Sequence, residues 1–339
     1  MNTKYILLLL KFFVGVFLYP VIAQGIGVKT AAPCNQKSID RKKNARYAEW
    51  ECGKLAGAVD CNEKLDYEES NNMFTSGIDN LPFTGVCETC HNNGLIEHRI
   101  KFVNGKEDGR DTTFYESGCT QVLREHVEGL RQGKWIYYFD TVGSPIEWEM
   151  NYFMGNKHGR QIFFTQKGDT ILLENYIHGK LDGVKKTYYS KSRIEKIVYY
   201  TQGIMNGSFK SYSYKGKLLQ ESNYVMGRKD GEFKYYYDDG VLLKIEHWKL
   251  DVKDGEFKVF FYEGNLQTLE NFKKGKKEGW FEEYYPTQKV KSRILYKKEI
   301  IIEEHRFDEK GREVYTFVLE KGRKKKKAED DAAPGSDVK

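Results

Sequence analysis

Short apolar runs of five to eight residues alternate with polar, glycine-bearing breaks along most of this chain, and the alternation keeps a fixed stride. A register glycine recurs at Gly85, Gly109, Gly133, Gly159, Gly183, Gly207, Gly231, Gly255 and Gly279, 24 residues apart except for the 26 from Gly133 to Gly159. Positions are counted below from the register glycine of each unit. Position five holds Cys90 in the first unit and an aromatic in the other eight: Phe114, Tyr138, Phe164, Tyr188, Tyr212, Tyr236, Phe260 and Tyr284. A second aromatic follows at Phe102, Tyr152, Tyr176, Tyr200, Tyr224, Trp248, Phe272 and Tyr296, with His126 in its place in the second unit. Self-similarity at such a period marks a repeat array.

Each unit contains two apolar runs rich in Tyr, Phe, Val and Ile, a composition that favours strands. Between them lie turn pairs such as Asn93-Gly94, Lys215-Gly216 and Asp239-Gly240, and between units lie Gly-x-x-x-Gly links such as Gly105 to Gly109, both typical of tight turns. The predicted unit is therefore a β-hairpin. With the turn centred on positions eight and nine, position five is expected to face position twelve. Position seventeen then neighbours position two of the next unit, which pairs Tyr224 with Phe233, Trp248 with Phe257, and Phe272 with Phe281. Positions two and five differ in parity, so either a bulge lies near position three or both faces carry aromatics. Nine hairpins at about 4.8 Å per strand make a sheet on the order of 85 Å long.

The motif Gly-x4-Tyr/Phe-x3-Gly-x7-Tyr/Phe, as it stands from Gly207 to Gly231, resembles the MORN repeat variant found in bacterial proteins labelled MORN-variant antitoxins. The resemblance covers residues 83–320. It implies an all-β fold, an elongated single-layer antiparallel sheet of about nine consecutive hairpins, serving as a scaffold or interaction surface. It also implies, as a second reading, an antitoxin that neutralises a toxin.

Met1 to Ala23 has a basic start at Lys4, an apolar middle and a small-residue exit, the form of a secretory signal peptide cleaved after Ala23. Its uninterrupted apolar run, Phe12 to Ala23, is shorter than the roughly 20 residues of a spanning helix. The expected location is extracytoplasmic, periplasmic or secreted. There Cys34, Cys52, Cys61, Cys87, Cys90 and Cys119 are disulfide candidates, all before residue 120. Residues 24–82 lack the repeat and are expected to cap the array, with one helix from Ser38 to about Leu55 and an entry turn or edge strand at Pro82.

The net charge of +6 is unevenly placed: +2 lies in the leader and +3 in residues 321–339, leaving +1 for the body. So balanced a body argues against nucleic acid as a partner. The run Arg323 to Lys327 is expected to belong to a disordered charged tail, the one segment with a route to membrane or polyanion docking.

Cys87-Glu88-Thr89-Cys90-His91 matches the Cys-x-x-Cys-His pattern that attaches a c-type haem, which gives a third function reading, a redox or haem protein. The repeat register accounts for the same residues, since Cys90 fills the aromatic slot and Cys87 the slot of Phe233, Phe257 and Phe281. Cysteines three apart on a regular strand are roughly 10 Å apart, too far to bond to each other. The expected outcome is a tie from this strand to the cap through Cys52 or Cys61. Cys119 has a free buried thiol as its alternative.

No nucleophile elbow, phosphate loop or His-Glu-x-x-His stands in the sequence. The recurring acids Asp108, Asp182, Asp230, Asp254 and Glu278 each precede a register glycine, where they serve the turn. Trp148 fills a slot that is mostly polar or aliphatic elsewhere and is a candidate partner contact. The chain is thus expected to be non-catalytic, without cofactor or metal, and to bind a protein or cell-envelope polymer through its sheet.

Overall fold

The computed structural model describes Cys52, Leu55, residues 57–320 and residues 323–326. The leader expected over residues 1–23, Cys34 and most of the helix expected over 38–55 lie outside those residues. The described residues are almost wholly strand, in a 27-stranded sheet and a separate two-stranded hairpin.

The cap begins with β1 (Ala58–Asp60), α1 (Cys61–Lys64), β2 (Leu65–Glu68) and β3 (Met73–Ser76), and leads into β4 (Gly85–Cys90) and β5 (Ile96–Val103), the first repeat. β1 lies parallel to β4, with Val59 opposite Cys87, and so covers what would be the open edge of the array. Asp60 caps α1 by accepting from the backbone N–H groups of Asn62 and Glu63 at 2.8 and 3.1 Å. β2 and β3 form the separate hairpin. The Phe74 ring stands 4.9 Å from that of Phe102, which is 1% exposed, and the Phe74 N–H donates to the Gly105 carbonyl at 2.8 Å. Pro82 forms an isolated antiparallel bridge with Thr75.

From β4 onward the strands pair antiparallel in chain order, and the seventh unit shows the pattern. Gly231 opposes Trp248, Phe233 opposes Glu246 and Tyr235 opposes Lys244; then the register slips and Tyr236 opposes Leu242. Position five thus faces position eleven rather than the expected twelve, and Leu243 is the residue left over. The turn causes the slip. Tyr237 N–H donates to the Val241 carbonyl and Gly240 N–H to the Tyr237 carbonyl, at 2.8 and 2.9 Å, with Gly240 left-handed at φ +93°. A turn closed by a left-handed glycine leaves one residue over, a bulge on the returning strand. The same slip recurs in the other units, from Thr89/Cys90 to Glu283/Tyr284.

Links between units are a different turn. Met226 and Gly227 both have positive φ, the mark of a two-residue hairpin whose twist matches the strands. Beyond it, Tyr224 opposes Lys229 but Glu221 opposes Lys234, so three residues on one strand span five on the next. Gly231 lies in that offset, and the strand after it, Gly231–Tyr236, runs unbroken. Positions two and five therefore face opposite sides, and both faces of the sheet carry aromatics.

The array extends past the ninth unit. Ile300–Phe307 and Glu313–Glu320 form a tenth hairpin, its turn closed by Asp308 N–H to Arg312 carbonyl at 2.9 Å and Gly311 N–H to Asp308 carbonyl at 2.8 Å. Arg323–Lys326, expected to belong to a disordered tail, instead pair antiparallel with that hairpin's second strand. The free edge of Glu313–Glu320 supplies the backbone groups that order them, and a lysine-rich strand is a common way to end an exposed edge.

Candidate binding surface

The cysteine motif is a clasp. Cys87 is bonded to Cys61 and Cys90 to Cys52, tying the first repeat to the cap through both expected partners. Cys119, 3% exposed, is also disulfide-bonded rather than a free thiol. The His91 ring nitrogen Nε2 lies 2.9 Å from the Phe114 carbonyl, in the slot from which the Tyr115 and Tyr189 hydroxyls donate to the Tyr138 and Tyr212 carbonyls at 2.7 and 3.1 Å. The haem reading is thereby corrected: both thiols are used in disulfides, and His91 serves as one of a series of turn fasteners.

The expected ring pairs form. Tyr224 and Phe233, Trp248 and Phe257, and Phe272 and Phe281 meet edge-on, with centroids 5.4, 5.4 and 5.3 Å apart. Within units, Phe257 meets Phe272 at 5.1 Å and Phe281 meets Tyr296 at 4.8 Å, so the rings make a column across the strands. Sequence reasoning missed what covers them. Two residues before the register glycine stand Arg131, Lys157, Lys229, Lys253 and Lys277, visible in retrospect as a recurring cation. Lys253 Nζ lies 4.6 and 4.3 Å from the Phe257 and Phe272 rings, and Lys277 Nζ 5.0 and 4.8 Å from Phe281 and Tyr296. Each such contact contributes about 0.5–1 kcal/mol, and the alkyl stem shields the ring from water. In this single layer Phe233 reaches 0% exposure and Phe257 7%.

Polar groups replace the position-two ring in three units. Asp111, 3% exposed, is paired with His98 and with Arg124, whose Nη1 is 3.1 Å away. Burial alone would raise its carboxyl, but His98 and Arg124 outweigh that and hold it below the usual range. Gln161, 0% exposed, accepts from the Asn151 N–H at 3.2 Å and donates to the Asn151 carbonyl at 2.9 Å, imitating a strand residue. Lys185 pairs with Glu174 at 2.7 Å. Glu174 also accepts from the Tyr176 hydroxyl, and burial together with that carboxylate pushes Tyr176 up to about 12.

The acids before the register glycines do serve turns, though in the following link. Asp108, Asp182, Asp230, Asp254 and Glu278 accept from the N–H groups of Glu128, Gln202, Leu250, Lys274 and Lys298, at 2.7 to 3.2 Å. Asn175 and Asn271 side chains donate to the Val184 and Trp280 carbonyls left free by the link offset. This recurring Asn, one residue before the second aromatic, was a second unread signal.

Trp148 lies half-buried between Tyr137 and Phe163, at 4.9 and 5.5 Å. With them it packs on the cluster of Trp135, Met150 and Tyr152, leaving only part of the indole open. The position-five aromatics Phe114, Tyr138, Phe164, Tyr188, Tyr212, Tyr236, Phe260 and Tyr284 are all half-buried on the opposite face. The hairpin-turn edge of units five to eight holds a further feature. One cleft of about 620 Å³ is lined by Tyr189, Tyr214, Lys215, Lys217, Asp238 and Asp239, and a second of about 470 Å³, lined by Tyr237 and Tyr262, shares the two aspartates. Among the described residues no group of three or more His, Cys, Asp or Glu is placed to hold a metal ion, and no helix is long and apolar enough to cross a membrane.

No family model matches the chain, and no curated protein does. Among solved structures it is similar to a TcdB2-TccC3-Cdc42 structure, at 9% identity over 71% of this chain and 16% of that one, with a TM-score of 0.17. It is also similar to TcdB2-TccC3 without the hypervariable C-terminal region, at 9% identity over 70% and 16%, with a TM-score of 0.17. The chain thus spans under a fifth of those proteins' length, and at this TM-score the likeness carries no argument. What the geometry itself defines is a repeat-built, open β-sheet protein with a disulfide-clasped end.

Proposed function

We propose that the chain is an exported, non-catalytic repeat scaffold of the MORN-variant type that holds a protein or cell-envelope partner along its sheet. The observation that carries this reading is the recurring lattice: in five of the nine units a carboxylate bonds the following link amide, and in five a cation covers the rings, so these acids and cations are committed to the framework. A regular surface of this kind suits recognition of an extended partner. The two cap disulfides support export, because such bonds persist in oxidising compartments. The half-open indole of Trp148 is the first contact to test. Affinity capture from the envelope fraction with the exported chain as bait is expected to retain a partner, and Trp148→Ala to weaken that capture. Capture unchanged by the substitution would remove Trp148 from the interface, and a chain that stays cytoplasmic with reduced cysteines would contradict export.

A further inference from the structure

Tyr214 and Tyr262, on the turn edge, stand outside the recurring turn contacts, yet they are held firmly. Tyr214 is 52% exposed and Tyr262 56%. Tyr214 meets the Tyr189 ring edge-on at 5.5 Å, carries the Arg193 guanidinium 3.9 Å from its centroid, and shares a hydrogen bond with Ser190 at 3.1 Å. Tyr262 meets Tyr237 edge-on at 5.3 Å and donates its hydroxyl to Asp239. The same ring pair therefore recurs two units along, about 19 Å at four strand spacings, on either side of the shared Asp238-Asp239 wall.

We propose that this edge is a binding groove for a linear polysaccharide. It deepens the scaffold reading by naming the partner class at one edge. Rings fixed in advance lose little freedom on binding, which favours them as platforms. Each sugar offers an apolar C–H face to a ring and a hydroxyl rim to neighbouring donors and acceptors, here Lys215, Lys217 and Asp238. Two platforms separated along an open groove suit a repeating polymer better than an enclosed small molecule. Nucleic acid is disfavoured because the lining is mixed in charge, Asp238 and Asp239 set against Lys215, Lys217 and Arg193, rather than a single basic run. An extended peptide is disfavoured because the turn backbone bonds to itself: Tyr237 N–H is taken by Val241 and Gly240 N–H by Tyr237, so no edge is free to receive a strand.

The experiment is co-sedimentation of the disulfide-intact chain with insoluble cellulose, chitin and peptidoglycan, and with a polyproline resin. Binding to at least one polysaccharide is expected, weakened about tenfold or more by Tyr214→Ala with Tyr262→Ala. The Tyr→Phe pair keeps the rings and is expected to retain most of the binding, which separates lost platforms from lost folding; an unchanged melting temperature checks the alanine pair. Binding to none of the polysaccharides, binding indifferent to ring loss, or ring-dependent binding to polyproline alone would each overturn the proposal. Capture of a protein through Trp148 would survive all three results, so the broader scaffold reading stands or falls separately.

Discussion

At the residue scale, the two glycines Gly231 and Gly255 occupy the same slot with different surroundings. Both are left-handed, at φ +93° and +119°, but a Cβ on Gly231 meets nothing within 4 Å whereas one on Gly255 lies 2.9 Å from the Cβ of His247. Gly231→Ala is expected to cost about 1–2 kcal/mol, the backbone strain alone. Gly255→Ala should cost clearly more, because the strands must part as well; equal losses in chemical denaturation would show that the close approach does not matter. His305 offers a pH test. Burial and Arg293 oppose its ionisation, but hydrogen bonds to Glu313 and Glu303 outweigh them and raise it above 6.5, while Glu313 is lowered below 4.5 by the same contact. The raised imidazolium contributes fully below about pH 6.5 and loses its contribution as pH climbs through its folded value; the lowered Glu313 contributes above 4.5 and loses it as pH falls. Hydrogen-exchange protection in the tenth hairpin, taken relative to the intrinsic pH dependence of amide exchange, should therefore be greatest between those values and fall on either side. His305→Gln should remove the alkaline limb of that dependence.

At the element scale, stability rests on columns that cross the strands rather than on any one hairpin. Phe257→Ala removes a ring touching Trp248 and Phe272 and covered by Lys253, and should cost about 3 kcal/mol in equilibrium unfolding. A loss under 1 kcal/mol would mean that the column adds little. Replacing both Cys61 and Cys87 by alanine opens a closure of sequence separation 26, worth about 3 kcal/mol, and should loosen the cap, still tethered through Cys52 and Cys90, before the repeats. Proteolysis is then expected to cut first between β1 and β4. The hairpins and the ring pairs were legible in the sequence because glycine and aromatic positions recur at a fixed stride. The bulge at position twelve was not, since it depends on which turn type Asp238-Asp239-Gly240 adopts. The strand at Arg323–Lys326 was hidden because composition alone describes a charged tail, and only the free edge of its neighbour orders it.

At the scale of the whole molecule, the nearly neutral body, the links and the columns describe one meander in which each unit touches only its neighbours, so stability should build unit by unit. The clasp at Cys87 and Cys90 was half visible: register placed both cysteines on a strand and denied them to each other, and the cap supplied the partners. The tyrosine groove was not visible, because position seven is a tyrosine only in units six and eight, at Tyr214 and Tyr262, and so falls outside the repeat. The central claim, an open sheet growing by two strands per unit, is tested most directly by electron spin distance measurements between labels on the exposed turn residues Lys167, Lys215 and Glu263. Separations of roughly 19 Å from Lys167 to Lys215 and 38 Å from Lys167 to Glu263 are expected from strand spacing. A Lys167 to Glu263 distance no longer than that from Lys167 to Lys215 would mean that the sheet folds back on itself, and would contradict the account.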